Sequence, residues 1–365
     1  MPDRPLSPAL AALDTPALLV DLDVMEANIA RVMAACRAHG VQWRPHIKGN
    51  KTPQIALRQL AAGAIGVTCA KLGEAEVMAE AGIVDLLIAN QIVGEAKIAR
   101  LVKLRERADP IVAVDSHDHI AALAAGSPNP ARPLRVVVEV NVGMNRAGVE
   151  PGEAAAKLAS EIARHNGLRF AGLMAWESQA TRIADPGEKE HVVKEALAQL
   201  VATAARCREA GYPVSIVSCG GSGTFPYCVE QPGITEVQVG GAIFSDMHYR
   251  GHYHLNFPPA LTVLATVTSR PNSNRIILDA GRKALPPDIA TPQPLRLPRL
   301  SGLKFSAEHA TLELEEPSDT PRIGERVELI VGYSDMTVFL HEEIVAHRRG
   351  EIEAVWRVAA RGKLK

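Results

Sequence analysis

Lys48 lies in the segment Arg-Pro-His-Ile-Lys-Gly-Asn-Lys (44–51), a few residues past the short apolar run Val41–Pro45. A lysine at the end of a buried strand can be partly desolvated, which lowers its pKa and lets the neutral amine condense with an aldehyde. Taken alone, it is an ordinary solvated loop side chain. Ser-Cys-Gly-Gly-Ser-Gly-Thr-Phe (218–225) follows the run Val214–Ser218, and Val-Gly-Gly-Ala-Ile (239–243) follows Glu236–Val239. Glycines admit close backbone approach, and Ser222, Thr224 and successive N–H groups can surround an anion. A glycine turn by itself is only a turn. An amine at one strand end and an anion cup at another are more informative together. A phosphorylated aldehyde needs both, and pyridoxal 5′-phosphate is the cofactor of that description.

Glu-Val-Asn-Val-Gly-Met-Asn-Arg-Ala-Gly-Val (139–149) adds Asn145 and Arg146. They could donate to a cofactor or a substrate carboxylate, or simply form a surface turn before a helix.

These residues need a scaffold that carries strand ends to one face. From Val41 to Val239 the chain repeats a short apolar run, a turn and a longer stretch with helical spacing. The runs are Val41–Pro45, Gly66–Cys69, Asp85–Ala89, Pro110–Val114, Arg135–Val140, Arg169–Met174, Val214–Ser218 and Glu236–Val239. Between them lie helical stretches such as Thr52–Ala62, Glu153–His165 and His191–Ala210. Nearly continuous apolar strands such as 136–140 fit a parallel sheet buried on both faces. Eight such units over about 200 residues fit a closed (β/α)8 barrel, whose active sites lie at the C-terminal strand ends, better than an open doubly wound sheet, an alternative that periodicity leaves open. From about Asn256 short alternating runs take over, including Leu261–Thr268, Ala310–Leu314, Thr337–Leu340 and Ile352–Val358. They predict a mostly-β domain, with TPQPLRLPRL and EEPSDTPRIG as connections.

Composition narrows the classes. Among 365 residues, 40 Lys+Arg balance 41 Asp+Glu, and 4% are aromatic. Neither a broad electrostatic grip on nucleic acid nor a base-stacking surface is expected. The five cysteines (36, 69, 207, 219 and 228) show no C-x-x-C spacing, which fits free thiols in a reducing compartment. The N-terminus has no unbroken apolar core, and no run of 18 or more apolar residues occurs. The expectation is a cytoplasmic protein without membrane or nucleic-acid partners.

TPALLVDLD (15–23), RPHIKGNK (44–51), VEVNVGMNRAGV (138–149), CGGSGTF (219–225), LDAGRK (278–283) and AVWRVAARG (354–362) together resemble the D-threonine aldolase / D-serine dehydratase family. This is an alanine-racemase-like group of fold-type III pyridoxal-phosphate enzymes. The resemblance implies a barrel at 23–250, and a β-rich domain formed by 251–365 with the N-terminal strand in 1–22. It implies that Lys48 forms the cofactor imine, that Gly221, Ser222, Gly223 and Thr224 hold the phosphate, and that Trp176 lies near the cofactor, with Arg146 a candidate cofactor-binding residue from its own chemistry. Trp176 stands where Tyr is commoner. It also implies a homodimer and a small D-amino-acid substrate. The implied reaction is retro-aldol cleavage of D-3-hydroxy amino acids to glycine and an aldehyde. Dehydration of D-serine or 3-hydroxyaspartate, racemisation and non-catalytic cofactor binding are the alternatives.

One departure concerns a divalent metal (Mn2+, Mg2+ or Zn2+). Members that need one use a His and, two residues on, a Cys or Asp. The matching segment here is Gly-Tyr-Ser-Asp-Met-Thr (332–337), so Asp335 keeps the carboxylate while Tyr333 replaces the imidazole. A phenol is a poor metal ligand, but on a strand Tyr333 and Asp335 share a face and could form a hydrogen-bonded pair. That pair makes Tyr333 a candidate catalytic residue. His248, His252 and His254 are the reserve ligands.

Overall fold

Buried Val, Ile and Leu runs too short to be helices become strands. The computed structural model describes residues 6–127 and 129–365. Strand β1 (Ala17–Asp21) and the helix Leu22–Ala38 precede β2 (Gln42–Trp43), β3 (Val67–Cys69), β4 (Asp85–Gln91), β5 (Asp109–Val114), β6 (Leu134–Glu139), β7 (Leu168–Met174), β8 (Ile216–Cys219) and β9 (Glu236–Val237). Strands β2 to β9 form one parallel sheet in the order β2-β9-β8-β7-β6-β5-β4-β3. Its two edges meet. His46 bridges Thr68, and the N–H groups of Ile65 and Thr68 donate to the carbonyls of Trp43 and Pro45. The sheet is therefore a closed cylinder. Leu87, Ile111, Ala113, Val137, Ala171, Met174 and Ile216, drawn from five neighbouring strands, pack into one buried cluster.

The helices return the chain to the start of the next strand. Glu153–Arg164 buries Ala155, Ala156, Leu158, Ala159 and Ile162, a stripe of helical period. The stretch expected from His191 begins earlier, at Pro186. Asp185 accepts the Glu188 N–H and Pro186 occupies the first turn, a capping signal the apolar spacing does not carry.

At the N-terminal strand ends, Arg44 closes the cylinder. Its guanidinium is 2% exposed, is bidentate to Glu236 at 3.0 and 3.1 Å, and donates to Asp85 at 2.9 Å. Gly66 is needed beside it, since a Cβ there would lie 2.3 Å from the Asp85 carbonyl oxygen and 2.6 Å from the Arg44 guanidinium. Removing one partner of a buried ion pair leaves an uncompensated charge. Arg44→Met is therefore expected to lower unfolding free energy by about 3–5 kcal/mol, measurable by urea titration. An unchanged midpoint would show that the cluster adds no stability.

After Leu255 come β10 (Leu261–Asn272), β11 (Arg275–Leu278), β12 (Gln293–Pro294), β13 (Leu300–Phe305), β14 (Ala310–Leu314), β15 (Arg326–Ile330), β16 (Glu343–Arg348) and β17 (Glu351–Arg357). They form the expected mostly-β region, and β1 lies within its sheet, antiparallel to β10 and parallel to β16. The chain divides into two compact units. One comprises Ala30–Lys48, Pro53–Gly240 and Gly362–Lys365, and the other comprises the chain up to Ile29, Gly49–Thr52 and Gly241–Arg361.

Two local expectations are corrected. TPQPLRLPRL is not only a connection, because it contributes β12 and the first residue of β13. Thr337–Leu340 is not a strand. Ser334–Thr337 is a helical turn and Val338–Leu340 a 3-10 turn, with Met336 and Thr337 N–H groups both donating to the Tyr333 carbonyl. The buried Asp246 carboxylate accepts the Ser334 N–H at 2.6 Å, which holds this turn where β-branched composition alone suggests extension.

Candidate active site

Lys48 sits in the 3-10 turn Ile47–Gly49, just past the C-terminal end of β2. Ile47 is fully buried and anchors the turn, while the Lys48 side chain is exposed. The Lys48 N–H donates to His46 Nδ1 at 3.3 Å. Gly240, in the second glycine turn, is needed here. A Cβ on it would lie 2.1 Å from the His46 carbonyl oxygen.

The first glycine turn follows β8, at the same C-terminal end of the cylinder. The N–H groups of Thr224 and Phe225 both donate to the Gly221 carbonyl, at 3.1 and 2.9 Å, which curls the chain into the helix Phe225–Glu230. Ser222 and Gly223 are buried in this curl. The Trp176 indole, half-buried, lies against Gly221, since a Cβ there would meet Cη2 at 2.2 Å. Thr224 faces elsewhere. Its fully buried hydroxyl donates to Glu177 Oε1 at 2.5 Å and accepts the Gly221 N–H at 3.2 Å. Arg146 is 56% exposed and 3.7 Å from Glu139, the last residue of β6. Glu139 in turn accepts from Gln91 at 2.6 Å, and burial raises its pKa.

The other unit holds Tyr333, Asp335 and the reserve histidines. Tyr333 and Asp335 do not share a strand face, because Tyr333 caps a helical turn whose second residue is Asp335. They are nonetheless paired, with the Tyr333 hydroxyl donating to Asp335 Oδ2 at 3.0 Å. The Tyr249 hydroxyl donates to Oδ1 at 3.3 Å. Desolvation and the adjacent Asp335 hold the Tyr333 phenol above its ordinary pKa. A Cβ on Gly49, the residue after Lys48, would lie 2.5 Å from Asp335 Oδ1. Of the reserve histidines, His248 and His252 lie together with ring centroids 4.9 Å apart, and among the described residues no ring contact places His254 with them. His248 is buried with its ring 4.6 Å from Tyr253 and 4.7 Å from Tyr333, whereas His252 and His254 are exposed.

Residues 20–248 match the alanine racemase N-terminal domain, and residues 260–347 match a serine dehydratase domain. The chain is 35% identical over 364 residues to a D-threonine aldolase of Arthrobacter sp, covering 99% of this chain and 96% of that one. It belongs to the D-threonine aldolase / D-serine dehydratase family. It is also 31% identical to the 3-hydroxy-D-aspartate aldolase of Paracoccus denitrificans (strain Pd 1222), covering 98% of this chain and 95% of that one. The crystal structure of D-threonine aldolase from Filomicrobium marinum superposes with a TM-score of 0.91 at 35% identity, covering all of both chains. This alanine-racemase-like family implies pyridoxal 5′-phosphate as cofactor. No helix among the described residues of this family member is long and apolar enough to cross a membrane.

The sequence reading missed Glu177, Asp246 and Tyr249. An acid directly after Trp176, and an Asp three residues before Tyr249, were the available signals. Asp246 is fully buried and accepts the Tyr249 N–H at 2.9 Å. Desolvation by burial raises its pKa from 3.8 to about 7. Folding therefore favours its protonated form, so its contribution to stability is greatest below the unfolded pKa. It declines as pH rises to about 7. Asp246→Asn, which cannot titrate, should show a flatter melting-temperature profile across that window. Parallel profiles for the two proteins would refute the assignment.

Proposed function

We propose that this protein is a pyridoxal-phosphate lyase that cleaves D-3-hydroxy amino acids to glycine and an aldehyde. The supporting observation is the pairing, at C-terminal ends of strands in one cylinder, of the exposed amine of Lys48 with the glycine turn around Ser222. The residues fit the cofactor. Lys48 Nζ would supply the amine for its aldehyde, and the curl at Gly221–Thr224 would hold its phosphate through the Ser222 and Gly223 N–H groups and the Ser222 hydroxyl, the Gly221 and Thr224 N–H groups being spent within the turn. When bound, the cofactor supplies an electron sink for the pair released from the substrate Cα.

The remaining work falls to the chain. The Trp176 indole lies against one side of the glycine turn, where it would shield a bound phosphate. Arg146, at the rim after β6, is a guanidinium able to hold a carboxylate bidentately. Tyr333 is assigned to the substrate β-hydroxyl. Its Oη takes that proton as its own passes to Asp335 Oδ2, so the Cα–Cβ bond can break with the oxygen becoming a carbonyl.

The donor set does not fit a divalent metal at Asp335. Both carboxylate oxygens accept phenol hydroxyls, and the neighbouring ligand position is Tyr333. Among the described residues, the only group of three or more His, Cys, Asp or Glu ligands within 4.8 Å of one another is Glu177, Cys219 and Cys228. Transition metals favour imidazole or thiolate over a protonated phenol.

The matched serine dehydratase domain at 260–347 favours one second reading, elimination of the β-hydroxyl to a keto acid and ammonia. Product analysis with D-threonine, D-phenylserine, D-serine and D-3-hydroxyaspartate separates them. Glycine plus an aldehyde supports the lyase reading, whereas keto acid plus ammonia replaces it with the dehydratase. We further propose a cytoplasmic homodimer. The five free, buried cysteines support a reducing compartment.

A further inference from the structure

Glu177 is a buried acid that the proposed chemistry leaves without a task. It follows Trp176 and is fully enclosed. Its Oε1 accepts the Thr224 hydroxyl at 2.5 Å and the Cys228 thiol at 3.3 Å, and its Oε2 accepts the Gly220 N–H at 3.4 Å. Thr224 Oγ1 accepts the Gly221 N–H at 3.2 Å. All four partners belong to the glycine turn or to the helix directly behind it. A hydrogen-bonded chain thus runs from Gly221 through Thr224 to Glu177, beneath the turn.

One other role, a metal site, is excluded by chemistry. Glu177, Cys219 and Cys228 have the composition of a metal site, but the carboxylate oxygens already accept three donors. Burial pushes both thiols up and disfavours the thiolates a soft metal requires. An ionised carboxylate under a phosphate would also repel it. Burial shifts the Glu177 pKa upwards, towards the neutral form, which weakens that repulsion.

We infer that Glu177 is a positioning residue that shapes the glycine turn for a phosphate monoester. It acts from beneath through Thr224 and Gly220, so the Thr224 hydroxyl serves the turn's curvature instead of touching the phosphate. The inference rests on the proposed function, because it takes the turn to be the cofactor-phosphate cup.

The test is titration of the apoprotein with pyridoxal phosphate and with pyridoxal, the same aldehyde without phosphate, followed by absorbance and accompanied by thermal melts. The wild type should prefer the phosphorylated form. Glu177→Ala should cut that preference by about tenfold or more, the effect of losing a buried acceptor, with pyridoxal binding held within about twofold. Glu177→Gln keeps an accepting oxygen and should stay within about threefold of wild type. Glu177→Asp withdraws the carboxylate by one methylene and should fall towards the alanine variant, which keeps the test decisive should Glu177→Ala not fold. A direct Thr224–phosphate contact predicts the opposite, since freeing that hydroxyl would preserve or strengthen binding. A wild-type preference in both Glu177→Ala and Glu177→Asp overturns the inference, as does equal loss for both aldehydes or a Glu177→Gln as poor as Glu177→Ala. A wild type that binds neither aldehyde overturns the functional reading itself.

Discussion

Lys48→Ala is expected to eliminate covalent attachment of pyridoxal phosphate and to reduce D-threonine cleavage by on the order of a thousandfold or more. The side chain is exposed on a turn anchored by the buried Ile47, so its removal should leave the melting temperature within a degree or so of wild type. Borohydride reduction followed by intact mass measurement reads the attachment directly. The wild type should gain the mass of one reduced cofactor, and the variant should not. Added methylamine should restore a fraction of turnover, because the missing group is an amine and its site remains. A variant that still carries the adduct, or cleaves substrate at the wild-type rate, would transfer the covalent role to another lysine. Lys51 is the nearest in sequence, but it is 7% exposed and its carbonyl accepts the Ala360 N–H.

Tyr333→Phe is expected to lower kcat by roughly a hundredfold to a thousandfold, while pyridoxal phosphate still binds. The phenol is the only part of Tyr333 that donates to Asp335, and phenylalanine preserves the ring against His248. EDTA should leave wild-type turnover unchanged, and Mn2+ or Zn2+ should not raise it. The two measurements guard each other. Chelation that silences the enzyme, with recovery on adding metal, would mean that Asp335 exchanges its phenol donors for an ion. A Tyr333→Phe variant at full rate would mean that the hydroxyl proton leaves by another route.

Much of the scaffold was legible in the chain. Runs such as 136–140 are nearly continuous apolar segments, which fit a parallel sheet covered by helices, but closure of the cylinder was decided only by the His46–Thr68 bridge between its edges. Boundaries were less legible where a distant group makes the local choice. Thr337–Leu340 has β-branched and aromatic character, yet the Asp246 carboxylate, 88 residues before Ser334, caps a helical turn there. Pro186 starts a helix five residues ahead of the apolar stripe because Asp185 caps it.

The candidate site divides in the same way. Lys48 and the turn at 219–225 stand out because a reactive amine and consecutive glycines are local properties, visible wherever they occur. The direction of the Thr224 hydroxyl was not visible, since it depends on Glu177, brought beneath the turn by the neighbouring strand. The Tyr333–Asp335 pair was read correctly as a contact but on the wrong backbone. Residue identity and short-range spacing set which chemistry this chain can offer. Folding chose which polar groups spend their hydrogen bonds on one another, because a buried donor must find an acceptor and that acceptor is usually far away in sequence.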